Sequence, residues 1–299
     1  MAYPETGGIP VDETGAPGAL VTSPGQVQFG PMLLGSGTPA GWRNIVGWRD
    51  HPQAQIGDAP RPQGHGASPG TVFADAAVVT FTFLLRGTPE AKLLALDAIE
   101  RWTPMDGVER PLVVNDGAGP WLRNARVIGR NVPQEVHFRH APIECSIQWV
   151  CADPFRYSLT ERLGSGSLSG GSGGLTYPLT YPLTYGVPAS GSFSVANDGG
   201  VPAPFVATFA GPLTNPSIVG PDWILGFGIT LVEGETLVVD TAAGTAFLNG
   251  DSSADRLTTI TTTSDPVDVC RIPVGVSTLS LAAESGTGTV QVSYHDTRM

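Results

Sequence analysis

Apolar residues of this chain fall in short runs that alternate with polar residues and are separated by glycine, proline, asparagine and aspartate. Residues 76–85 (AAVVTFTFLL) illustrate the pattern, because Phe81 and Phe83 fall on one face of an extended chain and Thr80 and Thr82 on the other. Successive side chains of a β-strand point to opposite faces of a sheet. We therefore expect a central strand here.

Similar runs predict the other strands of the first half, but two stretches break the pattern. Residues 1–18 are rich in glycine, proline and acids and are expected to form a mobile leader. Residues 50–70 lack periodicity, and a loop of about 20 residues in a compact domain is usually functional or an interaction arm. The further strands predicted in this half are Ala19–Thr22, Gln26–Phe29, Arg43–Trp48, Pro111–Asn115, Trp121–Arg130, Gln134–Arg139 and Ile143–Val150.

One helix is predicted, over Pro89–Trp102. Thr88 can cap its N-terminus, proline suits the first helical position, and Glu90 lies at the positive end of the helix dipole. Apolar residues recur every three positions and are expected to pack on a sheet: Leu93, Leu96, Ile99 and Trp102.

A change of composition predicts a linker over residues 163–186. Residues 164–174 consist of glycine, serine and leucine, which predicts a flexible segment. Residues 175–186 then repeat Leu-Thr-Tyr-Pro, with glycine replacing the last proline. A residue before proline avoids the helical region, so the repeat favours an extended or polyproline II chain. We expect a stiff spacer that lies in a groove through Tyr177, Tyr181 and Tyr185.

The second half predicts strands alone, at a spacing of about 8–12 residues that is typical of a β-sandwich. Turns are predicted at residues 197–200 (NDGG) and 248–251 (LNGD). The predicted strands are Ala203–Phe209, Ile224–Leu231, Thr236–Asp240, Thr245–Leu248, Arg256–Thr261, Val267–Ile272, Ser277–Ala282 and Thr287–Tyr294.

Length and composition favour two β-rich domains. A chain of 299 residues is long enough for two cores, and its 39 glycines and 27 prolines follow no collagen-like period. The sequence predicts a mainly β protein with a β-rich α+β domain over residues 1–162, the linker over 163–186, and a β-sandwich over 187–299.

The charge and hydropathy of the chain argue against two classes of partner. A net charge of −11 with no basic stripe disfavours nucleic-acid recognition. No run approaches the roughly 18 apolar residues that a membrane span needs, so membrane insertion is not predicted. Residues 1–8 carry an acid and no apolar stretch, so a secretory signal is not predicted either.

No enzyme, metal site or cofactor is predicted. Cys145 and Cys151 would share one strand face but lie too far apart to pair, and Cys270 is isolated. The five histidines lack ligand spacing. Residues 170–174 (GGSGG) match the G-x-S-x-G motif of serine hydrolases, but within the linker and without the strand and helix that the motif requires. The carboxylates that could flank a sugar are better interpreted as solvated loop acids: Asp240, Asp251 and Asp255.

Tryptophan is concentrated in the first half, where five of the six residues occur. Large aromatic side chains dominate the energetics of cores and interfaces, so we expect core or subunit-interface anchors here. A platform for stacking sugars is the alternative. The five residues are Trp42, Trp48, Trp102, Trp121 and Trp149.

Residues 145–158 (CSIQWVCADPFRYS) resemble a motif of the distal tail proteins, siphovirus-type minor tail proteins of long-tailed bacteriophages. In that family an apolar strand ends in an Ala-Asp-Pro-x-x-Tyr-Ser turn that closes the N-terminal domain. Asp153 can form an Asx turn before Pro154, and the aromatic residues can anchor the exit of the chain. The interface or structural candidates are Trp149, Asp153, Pro154, Phe155 and Tyr157, together with the three repeat tyrosines.

The second half also resembles this family, in its C-terminal β-sandwich, and the repeat is similar to linkers of minor tail proteins. The segments that carry the resemblance are 193–197 (FSVAN), 202–205 (PAPF), 211–219 (GPLTNPSIV), 234–241 (GETLVVDT), 246–250 (AFLNG) and 272–280 (IPVGVSTLS). The resemblance covers both predicted domains and the linker between them.

The resemblance implies a structural virion protein and no catalytic residue. It implies a homohexameric ring that joins the tail tube to the tail tip or baseplate and the host-recognition parts, with a galectin-like C-terminal domain projecting outward. The implied partners are the tail tube protein, the tape measure protein and tail-tip or baseplate proteins. The implied location is the virion, after assembly in the host cytoplasm. A carbohydrate-binding module with weak glycan contact and a tail-associated wall hydrolase are the alternatives.

Overall fold

The computed structural model describes residues 8–12, 16–133, 141–168 and 191–299. Within it the chain divides into two compact units, Met1–Leu159 with Met299, and Thr160–Arg298. The Leu-Thr-Tyr-Pro repeat, with Tyr177, Tyr181 and Tyr185, lies outside the described residues, as does the predicted strand Gln134–Arg139.

The first unit is mainly β with one helix, as predicted. Its main antiparallel strands have the order β2-β1-β9-β10-β11-β8-β3. The elements are β1 (Gln26–Phe29), β2 (Met32–Gly35), β3 (Ala40–Val46), β4 (Ala54–Ile56), β5 (Ala59–Pro60), β6 (Ala67–Ser68), β7 (Val72–Ala74), β8 (Ala77–Leu85), α1 (Pro89–Trp102), β9 (Arg110–Asn115), β10 (Pro120–Asn131) and β11 (Ile143–Cys151).

Strand β10 holds the first unit together because its two halves pair with different strands. Pro120–Ala125 pairs with β9, and Arg126–Asn131 pairs with β11, with a register shift between Val127 and Gly129. On the far side of β11, β8 alternates buried and more exposed side chains as expected, with Phe81 and Phe83 inside. The predicted central strand is therefore confirmed.

Helix α1 begins and ends where the sequence predicts, and the Ala91 N–H donates to the Thr88 Oγ1 cap at 3.2 Å. The predicted apolar stripe is wrong in part, because Leu93 is 57% exposed. A step of three residues falls about 60° short of a full helical turn, so a stripe with that spacing drifts off the sheet. The buried face instead consists of Ala91, Lys92, Ala95, Leu96 and Ile99.

The N-terminal predictions need two corrections. Residues 19–22 form turns rather than a strand, because the Ala19 and Val21 N–H groups donate to carbonyls three residues earlier. Residues 8–12 are not a mobile leader, since Ile9 is buried in the core and Val11 pairs with Met32. Sparse apolar residues between prolines and glycines were enough to pack this segment on β2.

Residues 164–167, which were predicted to be flexible, instead belong to strand β12 (Arg156–Ser167). A Cβ atom added to Gly164 or Gly166 would lie 3.0 Å and 2.6 Å from ring carbons of Phe193. These glycines therefore allow close packing on an aromatic ring, a use of glycine within strands that composition does not distinguish from flexibility.

The second unit is a β-sandwich, as predicted. One sheet contains β23-β14-β19-β20, the other β13-β21-β16-β17, and β18-β15-β22 form a small third sheet. The strands are β13 (Gly191–Asn197), β14 (Phe205–Ala210), β15 (Leu213–Thr214), β16 (Ser217–Val219), β17 (Ile224–Gly226), β18 (Thr230–Leu231), β19 (Thr236–Asp240), β20 (Thr245–Leu248), β21 (Gly275–Ala282), β22 (Ser285–Gly286) and β23 (Thr289–Arg298).

Aromatic pairs join the two main sheets of the sandwich. Phe205 of β14 stacks on Trp223 at 5.3 Å, and Phe209 of the same strand meets Phe227 edge-on at 6.2 Å. Two predicted strands are absent from the described second unit. Residues 256–261 contain a 3₁₀ helix, Leu257–Thr259, and residues 267–272 contain a turn at 267–269 and a single bridge from Ile272 to Ala203.

The corrected buried face of α1 can be tested by comparing the stability of two substitutions. We expect Leu96→Ala to lower the free energy of unfolding by about 2–4 kcal/mol, because it leaves a cavity between helix and sheet. Leu93→Ala should change it by less than about 0.5 kcal/mol, because that side chain already faces solvent. Denaturant unfolding followed by tryptophan fluorescence reports mainly the first unit, and equal losses would contradict the assignment of the buried face.

Candidate functional site

The segment that carries the family resemblance forms a tight turn after β11. The Asp153 Oδ1 atom accepts the Phe155 N–H at 2.9 Å, and the Tyr157 hydroxyl donates to Asp153 Oδ2 at 2.5 Å. One carboxylate therefore holds both ends of the turn, and the predicted Asx turn is confirmed. We call Asp153–Tyr157, which includes Pro154 and leads into β12, the exit turn.

Trp149, the remaining described candidate, lies in the core and not on the surface. Its ring is fully buried and stands 5.4 Å from that of Phe29 on β1. Of the other tryptophans in this unit, Trp48 is buried and the rest lie at the margin of the core. Within the isolated chain these residues therefore act as core anchors.

Arg123, which the sequence reasoning missed, is the most unusual side chain near the exit turn. It lies on the inward side of β10, in alternation with Ala125 and Val127, and is fully buried. Its Nη2 atom donates to the Pro154 carbonyl at 2.7 Å, and its Nη1 atom donates to the Gly47 carbonyl at 3.2 Å. The sequence signal for Arg123 was its charge at a position that the alternation of its strand assigns to the buried face.

Burial and an aromatic ring define the environment of this guanidinium. Removal from water lowers the pKa of Arg123 to about 10, so the group stays protonated at neutral pH. Its Cζ atom lies 5.2 Å from the centroid of the Trp48 ring, within the range of a cation–π contact. The side chain is therefore a buried cation held by main-chain oxygens and an aromatic face.

The second segment that Arg123 binds is the turn after β3, Gly47–Asp50, which we call the arm root. Gly47 has a φ of +80°, and an added Cβ would lie 1.9 Å from the Val78 carbonyl oxygen, so only glycine fits. The Gly47 N–H donates to Asp50 Oδ2 at 2.8 Å. Arg49 pairs with Asp116, with Nη2 and Oδ1 2.8 Å apart, and holds the pKa of that carboxyl below its usual range.

Beyond the arm root the chain forms an exposed two-stranded arm, residues 54–74, where the sequence predicted a loop without periodicity. Strands β4 and β7 pair antiparallel, and so do β5 and β6 nearer the tip. The apolar side chains Ile56, Val72 and Phe73 are 63%, 60% and 64% exposed. An isolated two-stranded ribbon is only marginally stable in water, so the arm is an element suited to packing against another surface.

The described residues hold no arrangement that indicates catalysis. In these ranges no cluster of three or more His, Cys, Asp or Glu side chains could hold a metal ion. The acids that could have flanked a sugar accept N–H groups of their own loops, namely Asp240 from Ala242, Asp251 from Ser253 and Asp255 from Leu257. His137, His140 and residues 170–174 lie outside the described ranges.

Two further observations bear on glycans and membranes. Between residues 191 and 299 no aromatic side chain is exposed, and the Trp223 indole N–H donates to the Arg271 carbonyl at 2.6 Å. A sugar-stacking platform needs an exposed ring, so this part of the sandwich does not offer one. Within the described ranges, no helix has the length and apolar character to cross a membrane.

Comparison with solved structures identifies the fold. The crystal structure of the SPP1 Dit protein, presented as a paradigm of the hub adsorption apparatus in phages that infect Gram-positive hosts, matches with a TM-score of 0.62 at 12% identity. The match covers 92% of this chain and 99% of that protein. The chain has the Dit fold. The resemblance of the sequence to distal tail proteins is thus confirmed at the level of the fold.

Chains from two structures of the phage P2 baseplate in its activated conformation also match. The structure with Ca has a TM-score of 0.46 at 10% identity, covering 87% of this chain and 91% of that one. The structure with Sr has a TM-score of 0.47 at 9% identity, covering 90% and 97%. By sequence, the chain matches no protein-family model and no curated protein.

The exit turn yields a stability prediction. We expect Asp153→Ala to lower the free energy of unfolding of the first unit by about 1–3 kcal/mol, because the Phe155 N–H and the Tyr157 hydroxyl both lose their acceptor. Asp97→Ala on the exposed face of α1 is the control and should leave stability unchanged or slightly higher. An equal effect of the two substitutions in denaturant titrations would show that the turn does not depend on this carboxylate.

The thiols yield a reactivity prediction. Burial raises the pKa of Cys145, Cys151 and Cys270 to about 11 in each case. The thiolate is the reactive form, so at pH 8 only on the order of one thiol in a thousand is ionised. We expect the native protein to resist an aromatic disulfide reagent at pH 8 and all three thiols to react in guanidinium. Rapid release of one equivalent from the native protein would contradict the buried assignment.

Proposed function

We propose that this chain is a structural virion protein, a distal tail protein that joins the tail tube of a phage to its tail tip or baseplate and host-recognition apparatus. The observation that carries this proposal is the Dit fold, which extends over both units and 92% of the chain. The SPP1 Dit protein is presented as a paradigm of the hub adsorption apparatus, and we infer a comparable hub role for this chain. The role needs large surfaces and no catalytic residue.

The exposed arm supports assembly with further copies of this chain. A monomer gains little from holding Ile56, Val72 and Phe73 in water, but a neighbouring copy in a ring could cover them. The proposed oligomer is a homohexamer with a mass near six times 31.1 kDa. Closed rings arise when each copy presents one surface that binds a different surface of the next. The arm is suited to be the first of these surfaces.

The other proposed partners are the tail tube protein, the tape measure protein and tail-tip or baseplate proteins. The proposed location is the virion, reached by assembly in the host cytoplasm. A carbohydrate-binding role for the sandwich is not favoured, because its described part exposes no aromatic ring.

The test of this role is the position of the protein in the assembled particle. We expect cryo-electron microscopy of phage tails to place this chain in a ring between the tube and the tip. A gene deletion should yield particles that lack the tip. Density for this chain elsewhere in the particle, or normal tips in its absence, would refute the proposal.

The arm gives a prediction for assembly. We expect Phe73→Asp to reduce incorporation into tails at least tenfold, because a charge cannot be buried in an apolar contact without a cost of several kcal/mol. The free energy of unfolding should stay within about 0.5 kcal/mol, because the side chain is exposed in the single chain.

The matched control is Val276→Asp, which adds the same charge at a side chain that is 79% exposed in the second unit. Both variants are followed by complementation of a deletion phage and by light scattering of the purified proteins. Normal tails with Phe73→Asp, or equal loss with both variants, would argue against the arm as a contact between copies.

A further inference from the structure

Three segments that are far apart in the chain meet at Arg123. The guanidinium is contributed by β10, Gly47 of the arm root lies 76 residues before it, and Pro154 of the exit turn lies 31 residues after it. Each terminal nitrogen donates to a different segment. The arm root and the exit turn are therefore connected through one side chain.

The chemistry of this contact makes the two hydrogen bonds depend on each other. A guanidinium is planar and rigid, so the two carbonyl oxygens that it binds must stay at a fixed separation. The Trp48 ring, 5.2 Å from Cζ, limits tilting of the plane. A buried cation that loses an acceptor cannot turn to water instead, so a lost bond on one side is not replaced.

The arm root and the exit turn, the two segments that Arg123 binds, each connect the core to another element. The arm root is the last part of the chain before the arm, whose strands are exposed on both sides of the ladder. The exit turn runs into the first two residues of β12, which starts at Arg156. The arm joins the core at the root and through residues 75–76, which lead into β8, and Arg123 contacts the root directly.

We propose that Arg123 is a positioning residue that couples the arm root to the exit turn, so that loosening either segment loosens the other. This inference concerns the first unit alone and goes beyond the proposed role in a tail. In an assembled particle, a contact that displaces the arm would also change the position of the exit turn.

The direct test is amide hydrogen exchange, resolved by mass spectrometry, on the full chain. Arg123→Met keeps the length and the packing of the side chain and removes its donors. We expect exchange to become at least about tenfold faster in residues 47–52 and in residues 153–158 together, since a bond to a charged group corresponds to roughly one to two powers of ten. Exchange in β8 should not change, which reports an intact core.

The converse variant is Asp50→Ala, which removes the acceptor of the Gly47 N–H at the arm root. With Arg123 in place it should accelerate exchange in residues 47–52 and 153–158 together, and in an Arg123→Met background in residues 47–52 only. Acceleration in a single segment with Arg123→Met would overturn the coupling and leave Arg123 as a local brace.

A reciprocal variant decides the question if Arg123→Met does not fold. Tyr157→Phe removes one of the two bonds to Asp153 and does not alter Arg123. Coupling between two sites is equal in both directions, so faster exchange at the exit turn must be accompanied by faster exchange in residues 47–52. An unchanged arm root would overturn the proposal. These measurements use the protein without a tail, so their outcome is independent of whether it forms a ring.

Discussion

The first unit has to hold the positive charge of Arg123 inside its core, and two main-chain carbonyls provide the acceptors. The bonds of its two terminal nitrogens stabilise this cation, because the cost of an unpaired buried charge is several kcal/mol. The carbonyls of Gly47 and Pro154 are therefore held in place although both lie in turns. Turns are usually the most variable parts of a fold, and here two of them are fixed by a residue of the central sheet.

The fixed arm root explains how a marginal element can be held out from a compact unit. The arm has two-residue and three-residue strands and little burial of its own, so its direction is set where it leaves the core. Trp48 buried in the core, the pair of Arg49 with Asp116, and the bond from Arg123 fix that point. A pre-positioned arm loses less conformational entropy when it meets a partner, which favours association.

Local patterns predicted those elements whose stability is local. The alternation over residues 76–85 predicted β8, and the Thr88 cap with Pro89 at the first helical position predicted the start of α1. The Asp-Pro pair gave the Asx turn. The buried face of α1 required the position of the sheet beneath it, which the spacing of the leucines does not encode.

Other features escaped prediction because they depend on partners distant in the chain. Gly164 and Gly166 suggest flexibility until Phe193 is placed against them, and Arg123 would be assigned to the surface by its charge alone.

Several acids of this chain, which has a net charge of −11, bind main-chain N–H groups of their own loops. A general acid or base needs a carboxylate aimed at a substrate, whereas Asp153, Asp240, Asp251 and Asp255 each accept an N–H group two residues further on. Carboxylates used in this way fix loops and turns, and fixed loops present binding surfaces at a lower entropic cost. These four acids are thus accounted for by the rigidity that they give to their own loops and turns.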